Sequence, residues 1–596
     1  MKARRAISTV VAAVIIVVIL VIAGIGGYYA ISSKGGTSVV TSVVTQGGST
    51  VTQGGSTVTQ GGSTVTNVVT STAVSTVSQT SATSASSATT SGSSGSGPKT
   101  GGTLNIGVDT QESTLDPLNS LIIPFSGTAD YGIYEGLIFF GPNGAYIPGL
   151  ATSWTSLNAT NWIFVLRQGV LFQDGTQFNA SAVKFVFDRS ISSSTATKTM
   201  YGLIQSTTVL NNSAVQIRLW SNSTYGYFLS RIASDFALIY SPSAFIRDGN
   251  SSTTYGLNPV GTGPFMFKEW VQNDHLTMVA NPNYWGPKSY IQTVIIHIIP
   301  DPTSRLLALQ SGEIQLADVP PQYASQLNTS STLVGIGPFN RVIDMDINVN
   351  NMSNPAFQDV RVRQALNYAI NRTALAAAVY YGYAQPATGG PLVPGPLYAP
   401  YFSNYSMYPA GGDITKAKQL LAAAGYSNGL NVSIDFSGTF VNSLTIATIL
   451  QSQWQQAGIT TNLLNKDFGL FVADLDPCRC YQLDIHDSSG GTPFEEWQVD
   501  FQPNGGFQDL GNNNNATLEA LVNQLGQTNI GNTTAYSALS NKINSLSLVD
   551  AYQIMLFYAP LIQGWSTSLH GYSIPNPQFT GYVISSGPQG VNCWLS

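Results

Sequence analysis

Val432-Ser433-Ile434-Asp435-Phe436, a segment from Ser443 to Ala457 closed by Gly458, and Ile459-Thr460-Thr461-Asn462-Leu463-Leu464 together decide the fold. Two strand-like runs flank a helical segment, and Gly458 stands where a helix ends in a left-handed turn. Strands joined through a helix run parallel, because a tight turn joins only antiparallel neighbours. This βαβ unit predicts at least one domain with a parallel sheet flanked by helices. The fold class is α/β.

The neighbouring segments read the same way. Asp413 opens a helix that stops at Gly425. Asp359 opens another in which Val362, Ala365, Leu366, Ala369 and Ile370 form one apolar face. Asn179 caps a helix carrying Val183, Val186 and Phe187. Asp174-Gly175, between Val170-Leu171-Phe172 and Phe178, signals a hairpin. Further helices are predicted over 517–524 and 536–548.

A chain of 596 residues is too long for one core. Charged residues make up 9%, against about 25% in an ordinary globular protein, so Asn, Ser, Thr and Gln must keep the surface wet. Twelve N-x-[ST] sequons begin at Asn158, Asn179, Asn211, Asn222, Asn250, Asn328, Asn351, Asn371, Asn404, Asn431, Asn515 and Asn532. Their density suits a glycoprotein displayed outside the cell. A net charge of −6, with no basic run beyond the first five residues, argues against a nucleic-acid partner. Cys478, Cys480 and Cys593 form no disulfide framework; two can pair and leave the third free. The C-x-C spacing supplies too few ligands for a metal.

The amino end predicts an anchor. Lys2, Arg4 and Arg5 precede an uncharged, largely apolar run from Ala6 to Ser33, longer than the roughly 20 residues that span a bilayer. The basic head stays cytoplasmic, so the rest lies outside. Arg4-Arg5-Ala6-Ile7-Ser8 resembles an archaeal pilin-like signal, which implies cleavage between Ala6 and Ile7; an uncleaved signal anchor is the alternative. Residues 1–35 are thus expected to be signal and anchor, with 6–31 in the membrane. Ser-Thr-Val-Thr-Gln-Gly-Gly starts at Ser49 and repeats from Ser56. One Val and two Gly per unit build neither a coiled-coil seam nor a stable helix. Residues 36–98 are expected to be a disordered, Ser/Thr/Gly-rich stalk.

Catalytic signatures are missing from the sequence. His275, His297, His486 and His570 have no zinc-type partner at helical spacing, and no nucleophile elbow, phosphate loop or dinucleotide fingerprint occurs. His486 stands beside Asp487, but neighbours on a strand point to opposite faces and cannot readily serve one atom. No catalytic residue, cofactor or metal site is expected.

Several segments, in order along the chain, carry a resemblance. They include Gly101-Gly102-Thr103-Leu104, Leu115-Asp116-Pro117, Tyr134-Glu135-Gly136-Leu137 and Pro148-Gly149-Leu150-Ala151-Thr152-Ser153-Trp154. Leu166-Arg167-Gln168-Gly169-Val170, Asp174-Gly175-Thr176 and Asn258-Pro259-Val260-Gly261-Thr262-Gly263-Pro264-Phe265 follow. Asn281-Pro282-Asn283-Tyr284-Trp285-Gly286, Leu309-Gln310-Ser311-Gly312-Glu313-Ile314 and Asp359-Val360-Arg361-Val362-Arg363-Gln364-Ala365-Leu366 complete the set. Together they closely resemble the family-5 extracellular solute-binding proteins, the peptide, nickel and oligosaccharide receptors of ABC importers.

That resemblance implies a two-lobed, periplasmic-binding-protein-like α/β fold (a Venus flytrap) with a subdomain inserted in the first lobe. Lobe I is expected over 101–141, 259–340 and 553–596, the insertion over 142–258 and lobe II over 341–552. It also implies capture by lobe closure, no enzymatic step, and ABC permease subunits as partners at the outer face of the cell membrane. In peptide-binding members a strand after the βαβ unit ends in an aromatic residue and then an aspartate that pairs with the peptide ammonium. Here the aromatic position holds Ser488 and the aspartate falls near Gly491. Either Asp487 substitutes and the ligand is an oligopeptide or dipeptide, or the ligand is an oligosaccharide. Ligand-binding candidates are His486, Asp487, Ser488, Trp497, Phe125 and Ser126. A pilin-like structural glycoprotein and a surface hydrolase are the rival classes.

Overall fold

The computed structural model describes residues 57–60, 63–66, 98–111, 114–119, 124–141, 145–192, 203–220, 228–234, 237–350, 353–393, 406–438, 442–475, 480–489, 494, 497, 515–528, 532–574 and 593–596. The chain divides into two compact units, 1–92 and 93–596. In the first, Thr57–Gln60 and Ser63–Thr66 pair antiparallel, Thr57 opposite Thr66. Both strands lie within the stretch 36–98 expected to be the stalk, and their β-branched Thr and Val favour strands. The expected cleavage site at Ala6 and Ile7 and the anchor over 6–31 lie outside the described residues. Among the described residues no helix is long and apolar enough to cross a membrane.

The second unit is built on one mixed sheet of eleven strands. In chain order its elements begin with β1 (Thr103–Val108) and α1 (Pro124–Ile133). A separate four-stranded antiparallel sheet follows, made of β2 (Ala151–Asn158), β3 (Asn161–Leu166), β4 (Ile204–Asn211) and β5 (Ala214–Leu219), with α2 (Ala180–Ser192) packed on β4. The main sheet resumes with β6 (Phe265–Val271), β7 (His275–Ala280), β8 (Thr293–Ile298), β9 (Leu316–Asp318) and β10 (Thr332–Ile347). After α3 (Val360–Tyr368), α4 (Arg372–Tyr380) and α5 (Ile414–Ala423) comes β11 (Leu430–Ser437), α6 (Ser443–Gln456) and β12 (Ile459–Lys466). β13 (Leu483–Ser489), α7 (Ala516–Gln527), α8 (Thr533–Asp550) and β14 (Gln553–Ser566) close the series. The strand order is β6-β7-β8-β1-β9-β14-β10-β13-β11-β12, with Gln385–Pro386 added on β14.

β11 and β12 pair in parallel from Leu430↔Ile459 to Ser437↔Lys466, as the βαβ reading requires. Gly425 and Gly458 close their helices at φ +94° and +86°, conformations that cost an L side chain about 1–2 kcal/mol. Asp359, Asp413, Asn371, Asn515 and Asn532 each accept a first-turn N–H at their helix starts. Asn179 does the same for α2. Four of the twelve sequon asparagines are therefore helix caps, which supplies a folding reason for an N-x-[ST] pattern.

β10 and β14 are the long strands that join two apolar cores. On β10, Val342 belongs to the core around Leu104, Ile106, Val294 and Ile296. Ile343, Met345 and Ile347 belong to the one around Val362, Leu366, Ile434, Leu450 and Leu483. The changeover thus falls between two adjacent residues.

The resemblance-bearing residues hold this body together. Buried Glu135 accepts hydrogen bonds from Trp285 Nε1 (2.6 Å), Tyr284 Oη (2.8 Å) and Thr262 Oγ1 (2.8 Å), while Arg167 lies over the Trp285 ring at 4.1 Å. Four distant motifs meet on one carboxylate. A Cβ on Gly261 would sit 2.1 Å from the Ile133 carbonyl oxygen, so only glycine lets these two backbones approach. Cys593 is free and buried, and burial pushes its thiol up to about 12. Cys480 is disulfide-bonded, which removes its sulfur from any metal reading of the C-x-C pair.

Candidate functional site

β13 lies between β10 and β11, antiparallel to the first and parallel to the second. Leu483 and Ile485 face the second core, and the alternating residues Asp484 and His486 take the opposite face. The register sets Asp344 against His486 and Asp346 against Asp484. Three carboxylates and one imidazole are thereby buried together; Asp344 and Asp484 are 0% exposed, Asp346 1% and His486 4%.

Asp484 Oδ2 lies 2.9 Å from His486 Nδ1. His486 Nε2 lies 3.5 Å from Asp344 Oδ1 and 4.0 Å from Asp346 Oδ2. From β14, Gln553 Nε2 donates to Asp346 Oδ1 at 3.1 Å. Burial alone would pull the imidazolium down, but Asp344, Asp346 and Asp484 outweigh it and hold His486 well above its ordinary value. Burial pushes Asp346 well up, His486 opposes that, and Asp484 and Asp344 add to it. Nearby, Lys466 bridges Asp435 and Asp474, and burial raises Asp435 against the pull of Lys466.

The expected candidates are distributed as follows. His486 sits inside the carboxylate group, partnered by Asp484 two residues back rather than by Asp487. Asp487 and Ser488 pair with Ile343 and Val342, directly opposite the changeover between the cores; their side chains lie outside the described set. Phe125 and Ser126 fall in the first turn of α1, with side chains also outside that set. Trp497, expected on the cleft, is 0% exposed and belongs to the first core. Asp344, Asp346 and Asp484 were missed. Their signal is the alternation Ile343-Asp344-Met345-Asp346-Ile347 and Leu483-Asp484-Ile485-His486, a polar face on two strands that a half-exposed sheet would show equally well.

The family described as bacterial extracellular solute-binding proteins, family 5 (middle), matches residues 145–515. The glutathione-binding protein GsiB of Shigella flexneri serotype 5b is 30% identical over 379 residues, covering 62% of this chain and 71% of that protein. Among solved structures, the periplasmic binding protein DppA of Helicobacter pylori, bound to the peptide STSA, superposes with a TM-score of 0.71 at 24% identity. The match covers 83% of this chain and 98% of that one. The oligopeptide-binding protein AppA of Bacillus subtilis, bound to a nonapeptide, gives 0.70 at 21% identity over 84% and 100%. The fold is thus the two-lobed α/β architecture of periplasmic binding proteins, as the motifs imply. With more than half its length matched by the family, this chain belongs to the family-5 extracellular solute-binding proteins.

Proposed function

We propose that the chain is the receptor of an ABC importer and captures an oligopeptide or dipeptide by closing two lobes around it. The closed form would then dock on the permease subunits. The observation that carries this reading is the 30% identity to a glutathione-binding protein, since glutathione is itself a small peptide. On this reading Asp487, at the end of β13, takes the ammonium of the ligand. An ammonium taken out of water without a carboxylate would cost several kcal/mol.

Titration calorimetry of the full chain with di- to pentapeptides tests it. Peptides with free amino termini should bind at least about tenfold tighter than acetylated ones, a difference of about 1.4 kcal/mol. Asp487→Asn should erase that preference. Heat only from oligosaccharides, and none from any peptide, would favour the second reading. One feature supports that alternative: β13 runs into Ser488-Ser489-Gly490-Gly491, without the aromatic–aspartate pair of peptide receptors.

The same reading keeps the protein on the outer face of the cell membrane through residues 6–31, with 36–98 as spacer. Mass spectrometry of the membrane fraction should find a mature chain starting at Ile7 or an intact leader. A chain starting beyond residue 35 would rule the anchor out.

A further inference from the structure

We propose that Asp344, Asp346 and His486 form a binding site for one resident divalent transition-metal ion, with Asp484 as the residue that positions the histidine. Nothing in the capture of a peptide requires such a site.

The orientation of the His486 ring is the first argument. Asp484 Oδ2 sits 2.9 Å from Nδ1 and, as a carboxylate, accepts that N–H. Nε2 is thereby turned toward Asp344 and Asp346, 3.5 and 4.0 Å away. Nε2 is buried and makes no hydrogen bond among the described residues. A carboxylate on one imidazole nitrogen and an open lone pair on the other is the arrangement that metal-ligating histidines use.

Spacing is the second. The ligand atoms of Asp344, Asp346 and His486 all lie within 4.8 Å of one another. Bonds of roughly 2.0–2.2 Å at tetrahedral to octahedral angles place ligand atoms about 3–4.4 Å apart, so little contraction is needed. Gln553 already holds the other oxygen of Asp346, and both strands are locked in register.

Charge is the third. Three carboxylates are buried around one imidazole, and a divalent cation held among them would neutralise an anionic cluster cut off from water. Two cations on neighbouring elements, Arg372 and Lys466, are engaged by other partners. Arg372 donates to Met555 O, Asn367 O and Asn367 Oδ1, and Lys466 bridges Asp435 and Asp474. One imidazole and two carboxylates suit zinc, cobalt, nickel or manganese better than calcium or magnesium, which prefer oxygen alone. The ion would clamp β13 to β10 next to the changeover between the cores.

The probes are Zn2+ and Co2+ on the full chain, after chelator treatment. The expected result is one ion per chain, a cobalt visible band with nitrogen-ligand character, and a thermal midpoint raised by Zn2+. His486→Gln and Asp344→Asn should abolish the cobalt band, and Asp484→Asn should weaken binding by about 10–100-fold. Circular dichroism checks that each variant folds; if one does not, the wild-type stoichiometry and cobalt spectrum decide alone. Wild-type protein that binds neither ion, or folded His486→Gln that keeps the same band, would overturn the proposal. Cobalt competed away by free-amino but not acetylated peptides would also overturn it, by making the cluster the ammonium site.

Discussion

Asp116→Ala should lower the stability of the body by about 3–5 kcal/mol, the usual cost of removing one partner of a buried ion pair. Asp116 is 0% exposed and accepts two bonds from the Arg189 guanidinium, 3.0 Å to Oδ1 and a short one to Oδ2. Arg189 also donates to Tyr240 Oη (2.7 Å) and Ser252 Oγ (2.6 Å) and lies 4.0 Å over the Phe245 ring. Losing the carboxylate leaves a guanidinium enclosed by aromatic rings with no counter-charge. Asp116→Asn keeps the shape and loses only the charge, so it should fall between alanine and wild type. The pair itself need contribute little: Asp116→Leu with Arg189→Met should recover most of the loss, because desolvating two charges costs nearly what their attraction returns. Urea unfolding with equal m-values reads all three. Asp116→Ala within about 0.5 kcal/mol of wild type would mean that the ion pair does not close in solution.

That pair joins a motif near the start of the body to a helix 73 residues later, and it marks where sequence reasoning stops. Local signals were legible. Asp359, Asp413 and Asn179 cap the helices they were expected to cap, and Gly425 and Gly458 end theirs, because capping is chemistry between residues three or four apart. The parallel pairing of β11 and β12 followed from the length of their connection. Register across distant strands did not follow. Asp344 meets His486 only because β10 and β13, some 140 residues apart, align as they do, and a slip of one residue would send each side chain to the opposite face. The alternation in each strand was visible, but an acidic face reads as solvent-exposed until another layer is known to cover it. Trp497 is the converse case: it stands in a polar stretch of sequence, and only packing places it in the core.

The stability of the wild-type body should fall between pH 4.5 and pH 7 through Glu135, by about 3 kcal/mol at the upper end. Burial pushes this carboxyl up to about 7 from 4.5, and donation from Trp285, Tyr284 and Thr262, with the charge of Arg167, only partly offsets it. In that window the unfolded chain has released the proton and the folded one still holds it, so the folded state binds more protons and ∂ΔG/∂pH is negative. The contribution is complete below pH 4.5 and lost as pH rises through 7. Glu135→Gln cannot ionise. Its curve should run flatter across this range, lying at or below wild type at pH 5 and above it at pH 8. Glu135→Ala should be destabilised at both, because it orphans the buried donors Tyr284 and Thr262, each at a cost of about 1–3 kcal/mol, and the half-buried Trp285 besides. Comparing the variants subtracts every other titrating group. Parallel curves for wild type and Glu135→Gln from pH 5 to 8 would show that this carboxyl ionises at its ordinary value, and that the point where four motifs meet is wetter than its geometry implies.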